Sequence, residues 1–370
     1  MRALLVAKAV SYRLFSLLIT FFVIYAFTRS LPTASLSTVI IELLKTAWYY
    51  CYDRLWCRFG LISVKIVELK GIKGQYPLVP APVKLKAYIA LSRPLTIVIG
   101  TLAGLLLYKL ACAYYGVVFE WHVAIVVGLV FGLLHSAAQV ANQVVREEIE
   151  IDKINKPYRP IVRGLVSVRS AKVFAALLFT VSLVTALAIS PHFAAYAAII
   201  AFFSIFYTVP PLRVKRIFLL NNVWQGAARG LLPPLAVFSI FSGFKPDALP
   251  LALGSVIALW LTGGQAAKDA NDVEGDRRFG IKNFFTVLGD AAPLAMLAFM
   301  LAAFALLNAY LLAGVLPGKF AALNTLVIPS FLVVKGLKRT IPFMENNLGW
   351  VCMYVTLGFW YLLPVLLAAC

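Results

Sequence analysis

Apolar stretches of about twenty residues recur almost end to end along this 370-residue chain, and the short segments between them hold most of its charge. A stretch of that length crosses a bilayer as an α-helix, which satisfies its own backbone hydrogen bonds where no water can do so. With 62% hydrophobic and 13% charged residues and a mean hydropathy of +0.89, the chain has too little polar surface for a water-soluble fold. An all-α, polytopic membrane helical bundle is therefore expected.

Two spans come first, at roughly 10–27 and 34–50, joined by the turn "TRSLPT", and they read as a transmembrane hairpin. The basic start and apolar centre of residues 1–30 have the look of a signal peptide. No small-residue cleavage site is evident and a second apolar segment follows, so a retained helix is expected. Gly and Pro punctuation and dispersed charge in "RFGLISVKIVELKGIKGQYPLVPAPVKLKAY" mark a juxtamembrane linker. Nine further spans follow, at roughly 93–111, 121–145, 172–190, 193–209, 218–241, 249–268, 291–314, 321–335 and 348–369. This divides the chain into a two-helix domain at 1–60, a linker at 61–84 and a nine-helix domain at 85–370.

The formal charge of +19 is explained by topology. The even-numbered loops of the nine-helix part hold seventeen Lys and Arg and the odd-numbered loops three, which places the even loops on the cytoplasmic side of a cell membrane, where they also meet anionic lipids. The linker lysines fall on the same side. No interleaving of aromatic and basic residues of the kind that reads bases is present, so nucleic acid is not an expected partner. The five cysteines form no CxxC pair and the three histidines have no ligand spacing, which leaves neither a zinc site nor a histidine-based triad.

Acidic residues are scarce, only 15 in the chain, and they cluster. Glu147, Glu148, Glu150 and Asp152 follow the second span of the nine, and Asp269, Asp272, Glu274 and Asp276 follow the sixth, on the same membrane side. A charge at membrane depth costs about 3 kcal/mol, so two such groups at helix ends need a reason. On a continuous helix Asp269, Asp272 and Asp276, spaced three and four apart, share one face and repel one another unless cations neutralise them. Glu148 and Asp152 are likewise four apart, and Asn142 precedes them. Hard cations such as Mg²⁺ take oxygen ligands and commonly share them with phosphates, so the two clusters are candidates to hold metal between them. The bland alternative is a pair of solvated loops neutralised by nearby Lys and Arg.

At these residues the chain resembles the UbiA superfamily of intramembrane prenyltransferases. "KDANDVEGDRRFGIKNFFTVLG" is similar to its second aspartate motif and "NQVVREEIEIDKINKPYRPIVRG" to its first. "FYTVPPLRVKR" is similar to its loop between the fourth and fifth helices, and "LSRPLTIVIGTLAG" to the start of its first helix. The resemblance covers about residues 85–370 and includes the nine-helix count. It implies Mg²⁺-dependent transfer of a polyprenyl group, geranylgeranyl-like, from an allylic diphosphate to a lipophilic acceptor: a quinone or aromatic precursor, or an ether-lipid precursor. It also implies that Asp269, Asp272 and Asp276 are metal and diphosphate ligands.

The first motif departs from the pattern of Asn followed four and eight positions later by Asp. Counted back from "DKINKPYRP", Asp152 and Glu148 take the acidic positions and Val144 falls where Asn belongs; counted forward from Asn142, Arg146 and Glu150 fall there instead. Two extra residues turn a helix by about 200°. A local bulge would return Asn142 to the site; otherwise Glu148 and Asp152 act without it.

On this reading Lys156, Arg159, Arg213 and Lys215 donate to the phosphate oxygens of the leaving group. Tyr158, Tyr207 and Trp224 are candidates to face a carbocation-like centre, or else are interfacial anchors. Arg93 and Lys268 either face the site or snorkel, and Arg229, inside an apolar span, is a candidate contact for acceptor or diphosphate. The N-terminal hairpin resembles a small uncharacterised family of two-helix membrane domains, with Tyr52 and Asp53 in place of that family's His and Glu. A different class of function stays open: a noncatalytic membrane scaffold, or a transporter of an anionic lipid, on the same fold.

Overall fold

A computed structural model describes residues 81–339 and 346–368, together with scattered positions between Leu17 and Lys45. Two compact units are present, Met1–Pro77 and Leu78–Ala368. In the first, the described positions are helical, and Thr20 donates to Glu42 at 3.1 Å while Lys45 bonds both, so two segments lie side by side as a hairpin requires. The Tyr52 and Asp53 positions and most of the linker lie outside the described residues.

The second unit begins with α1 (Ala81–Ser92), followed by α2 (Pro94–Tyr115), α3 (Trp121–Gln143), the short α4 (Arg146–Asn155), α5 (Val168–Ile189) and α6 (Pro191–Phe206). Helix α7 (Leu220–Gly226) runs through a π-helical turn (Ala227–Leu231) into α8 (Leu232–Ser242). Helix α9 (Ala248–Gly264) tightens into a 3₁₀ segment (Gln265–Asn271) before α10 (Val273–Arg278). After them come α11 (Phe284–Leu288), α12 (Ala292–Leu312), a 3₁₀ segment (Gly318–Leu326), α13 (Val327–Lys335) and α14 (Leu348–Ala368). Seven of the resulting rods are long and apolar enough to cross a membrane. With the shorter apolar α6 and the interrupted α7–α8 rod, the described residues of this unit form nine long rods, two more than meet the length and apolarity of a span.

Small residues set how closely these rods approach. A Cβ on Gly104 would lie 2.9 Å from the Gly128 Cα, and one on Gly128 would lie 2.7 Å from the Thr101 carbonyl, so α2 and α3 meet backbone to backbone through Gly100, Gly104, Gly128 and Gly132. Without a hydrophobic driving force between helices in lipid, such close packing is a main source of association. The π turn meets α9 in the same way at Gly230, where a Cβ would lie 2.5 Å from the Ala258 nitrogen. Two residues along α9 from Ala258, Trp260 donates to Ser330 at 2.8 Å and lies near Trp360, which stacks on Phe304 at 5.5 Å.

Candidate active site

Both acidic clusters leave the helical pattern where they meet. α3 stops at Gln143, Val144 and Val145 form a break, and α4 restarts at Arg146 with Val145 extended at φ −76°, ψ 130°. That break absorbs the two extra residues of the first motif, in place of a bulge within a continuous helix. Asn142 accordingly lines the same cavity as Glu148 and Asp152, and its Oδ1 accepts from Thr208 at 3.0 Å. The second motif is not one continuous α-helix either. Its 3₁₀ segment carries Asp269, and Asp272 stands at the junction that starts α10, which carries Asp276. Three residues per 3₁₀ turn keep Asp269 and Asp272 aligned, and the new helix brings Asp276 round to join them.

The junctions are held together by Asn155, the last residue of α4. Its Nδ2 donates to the Asp272 carbonyl at 2.9 Å and its Oδ1 accepts from the Gly275 N–H at 2.9 Å. One amide side chain thus ties the first motif to the second.

Glu148, Asp152, Asp269, Asp272 and Asp276 surround one narrow cavity of about 80 Å³. Their charges are answered within it. Lys215 bonds Glu148 at 2.6 Å and approaches Asp276 at 3.7 Å, and Lys268 bonds Asp269 at 2.7 Å. Lys156 pairs with Asp272 and Arg159 with Asp152. Asn283 also donates to Asp276 at 2.7 Å. Among the described residues no three acidic, His or Cys side chains are gathered closely enough to chelate an ion by themselves. Yet one oxygen each of Asp269, Asp272 and Asp276 is buried with no hydrogen-bond partner, an expensive condition for a carboxylate. Hard oxygens left over in this way, from three carboxylates on one wall, are the donor set that Mg²⁺ prefers, so the residues present fit the ion.

Burial pushes the Asp152 carboxyl up to about 7, with Lys156 opposing and Glu148 reinforcing the rise. Burial likewise lifts Asp276 to about 6 against the pull of Lys215, with Asp269 and Asp272 adding to the rise. Burial pulls Lys215 down, but Glu148 and Asp276 outweigh it and hold the ammonium well above its ordinary value.

The expected phosphate donors divide. Lys156, Arg159 and Lys215 line the cavity, and Arg93 and Lys268 line it too. Arg213 does not line it: its guanidinium pairs with Glu147, beside Arg216, which meets the same carboxylate at 2.7 Å. Successive helical residues point about 100° apart, so Glu148 faces inward with Lys215 while Glu147 holds Arg213 outside. Among the aromatics, Tyr207 is buried in the wall and accepts from Lys268 at 3.0 Å. Tyr158 lines an adjoining cavity, and Trp224 stacks on Phe203 at 4.1 Å outside both.

Arg229 does line the cavity, from within the π turn. Its guanidinium donates to the Tyr354 hydroxyl at 2.6 Å and its carbonyl accepts from Tyr361 at 2.6 Å. π turns of this kind are frequent at functional sites. Gln139, Gln225, Asn346 and Tyr354 also face the cavity and carry no motif signal in the sequence. Asn346 is 3% exposed and its Oδ1 has no partner. The signal that could have found Asn155 is its place in the "NKP" stretch.

Comparison with known proteins places the chain beside one family of membrane enzymes. The model of the UbiA prenyltransferase family matches residues 97–342, and that of a predicted membrane protein family (DUF2061) matches residues 6–57. The chain is 29% identical over 204 residues to digeranylgeranylglyceryl phosphate synthase of Methanoculleus marisnigri, covering 55% of this chain and 68% of that protein. It is 31% identical over 194 residues to the chloroplastic homogentisate solanesyltransferase of Arabidopsis thaliana, covering 50% of this chain and 49% of that one. A solved UbiA homolog from Archaeoglobus fulgidus, bound to DMAPP and Mg²⁺, shares the fold with a TM-score of 0.57 at 19% identity, over 76% of this chain and 97% of that one.

Proposed function

The chain belongs to the UbiA prenyltransferase family, and from that premise we propose that it moves a polyprenyl group, geranylgeranyl-like, from an allylic diphosphate to a lipophilic acceptor, with Mg²⁺, in the nine-helix part from about residue 85 onward. The carboxylate cavity is the reaction centre, and the basic even-numbered loops support a position on the cytoplasmic side of the membrane.

The carrying observation is the pairing inside the cavity, where Lys156, Arg159, Lys215 and Lys268 are each bound to a carboxylate while three buried carboxylate oxygens have no hydrogen-bond partner. A diphosphate offers these cations stronger, multiply charged partners. As they turn to phosphate oxygens, Asp269, Asp272, Asp276, Glu148 and Asp152, with Asn142 beside them, are released to act as metal ligands. Bound there, Mg²⁺ supplies neutralisation of the charge that grows on the leaving diphosphate.

The allylic C1–O bond breaks with its electron pair leaving on the diphosphate. C1 then bonds to an oxygen or ring carbon of the acceptor, whose displaced proton departs to the diphosphate or to water. Lys156, Arg159 and Lys215 hold the departing phosphate oxygens, and Tyr207 presents an electron-rich face to the cationic carbon.

Labelled geranylgeranyl diphosphate, Mg²⁺ and a panel of acceptors, supplied to purified protein in detergent, test the proposal. Wild type should release diphosphate and form prenylated product, and Asp272→Ala and Asp276→Ala should abolish both. Unchanged turnover in these variants would refute the assignment, and a protein that moves an anionic lipid across vesicles without releasing diphosphate would be a transporter.

A further inference from the structure

Three helices run from the reaction centre to a separate cavity at their other ends. Helix α9 begins at Ala248 in the wall of that cavity and its rod reaches Asp269 in the acidic one. Helix α14 likewise carries Trp350 at one end and Ala368 at the other, and α2 runs from its cap Arg93 to Tyr114. At 1.5 Å per residue the two cavities are about 30 Å apart, the thickness of a bilayer core. The second cavity therefore opens on the membrane face opposite the reaction centre, and the transfer reaction makes no call on it.

Its volume is about 390 Å³, within the 300–1,000 Å³ typical of ligand sites. The wall is divided by chemistry: Leu110, Val315 and Phe320 supply an apolar part, Lys319 and Tyr114 a polar one. Lys319 is exposed and makes no ion pair among the described residues. With Lys109 and Lys245 it is one of only three basic residues in the odd-numbered loops of the nine-helix part, and Lys109 is laid over the Phe119 ring at 4.6 Å. Tyr114 stands edge-on against Tyr115 at 5.0 Å, and its hydroxyl has no hydrogen-bond partner among the described residues. The neighbouring acid, Asp247, is taken up by the Tyr115 hydroxyl. Helix α9 and the 3₁₀ segment from Gly318 both begin at this wall without a side-chain cap, so their first N–H groups add to the pull on an anion.

A snorkelling lysine needs only water or headgroups above it, whereas Lys319 stands at the rim of a space whose other walls are apolar. That combination selects an amphiphile, since a free anion would leave the apolar walls against water. We propose that this cavity holds one anionic phospholipid of the leaflet opposite the reaction centre. Lys319 and Tyr114 hold its phosphate, and its first acyl carbons follow Leu110, Val315 and Phe320 out to the bilayer.

Native mass spectrometry of the full-length protein, released from micelles containing phosphatidylglycerol, counts the lipids that stay bound. Wild type should retain one phosphatidylglycerol more than Lys319→Ala, and Lys319→Arg should keep the wild-type number. Lys245→Ala, which removes a charge from the same face but not from the lining, should also keep it. Ala113→Trp fills the cavity from α2 and should lose the same molecule with Lys319 in place. Glycerol phosphate, the headgroup chemistry without chains, should not displace the lipid at equal concentration. The unfolding midpoint in lipid-free micelles should be the same for Lys319→Ala and wild type, so that a missing lipid is not a missing fold. A wild-type count in Lys319→Ala or Ala113→Trp, an equal loss in Lys245→Ala, or displacement by glycerol phosphate would overturn the proposal. Binding is the readout throughout, so the outcome is independent of the transferase reading.

Discussion

Replacing Gly275 by Ala puts a methyl group where the two acidic motifs are fastened together. The new Cβ would lie 2.7 Å from both Oδ1 and Nδ2 of Asn155 and 2.8 Å from its Cγ. Real side chains do not tolerate such contacts, so Asn155 must rotate away and give up its bonds to the Asp272 carbonyl and the Gly275 N–H. Each net hydrogen bond is worth about 1 kcal/mol, and stranding its buried partner adds about 1–3 kcal/mol where water cannot replace it. Ala in place of a helical Gly returns about 1 kcal/mol of propensity. With two bonds lost, the balance runs from about 1 kcal/mol where water replaces both to about 7 kcal/mol where it replaces neither, and a geometric effect comes with it: Asp272 and Asp276 would shift relative to Glu148 and Asp152, and a misplacement of about 1 Å can cost about 10²-fold in rate. Asn155→Ala gives up the same two bonds without any clash, so the double variant should be no worse than Asn155→Ala alone. Thermal unfolding in micelles and turnover of prenyl diphosphate, measured on the full cycle, read that coupling. Additive losses in the double variant, or full activity in Gly275→Ala, would show that Asn155 is not the fastening.

Two further outcomes follow from the charges. Asp152 and Asp276 are lifted from 3.8 to about 7 and about 6, so between pH 4 and 7 the folded protein holds protons that the unfolded chain has released. With a chelator present, stability should therefore fall as pH rises through that window. The stabilisation conferred by added Mg²⁺ should grow over the same range, because the ligands must be ionised to bind; a Mg²⁺ effect independent of pH would contradict the carboxylate assignment. Lys215→Ala should cost at least tenfold in turnover, since it faces Glu148 and Asp276, whereas Arg213→Ala should cost less than threefold. Equal losses in the two would return Arg213 to the site.

The large features were legible because they carry a physical penalty that a sequence must display. Twenty apolar residues in a row, or eight acids at two helix ends, are too costly to occur without purpose, and among the described residues seven helices fit to span a membrane and one cavity shared by both acidic clusters resulted. What stayed hidden carries no such penalty. Neutral amides such as Gln139, Gln225 and Asn346 are ordinary in sequence, and only burial against an ionic cavity makes them notable. Arg213 and Lys215 look equivalent two positions apart, yet the 100° between Glu147 and Glu148 sends them to different faces of α4.

The first motif shows the same limit most sharply. Counting along an ideal helix sets Asn142 and Asp152 out of register, because counting assumes that the helix continues. Breaking it at Val144 and Val145 costs a few backbone hydrogen bonds at a membrane rim, where water is at hand to replace them. Keeping it intact would turn either Asn142 or the acid pair away from the cavity. The break is the cheaper solution, and it leaves α4 free to be oriented from its other end, by Asn155. Register in this motif is therefore set by a contact 120 positions away, at Gly275, and not by the local spacing of its own residues.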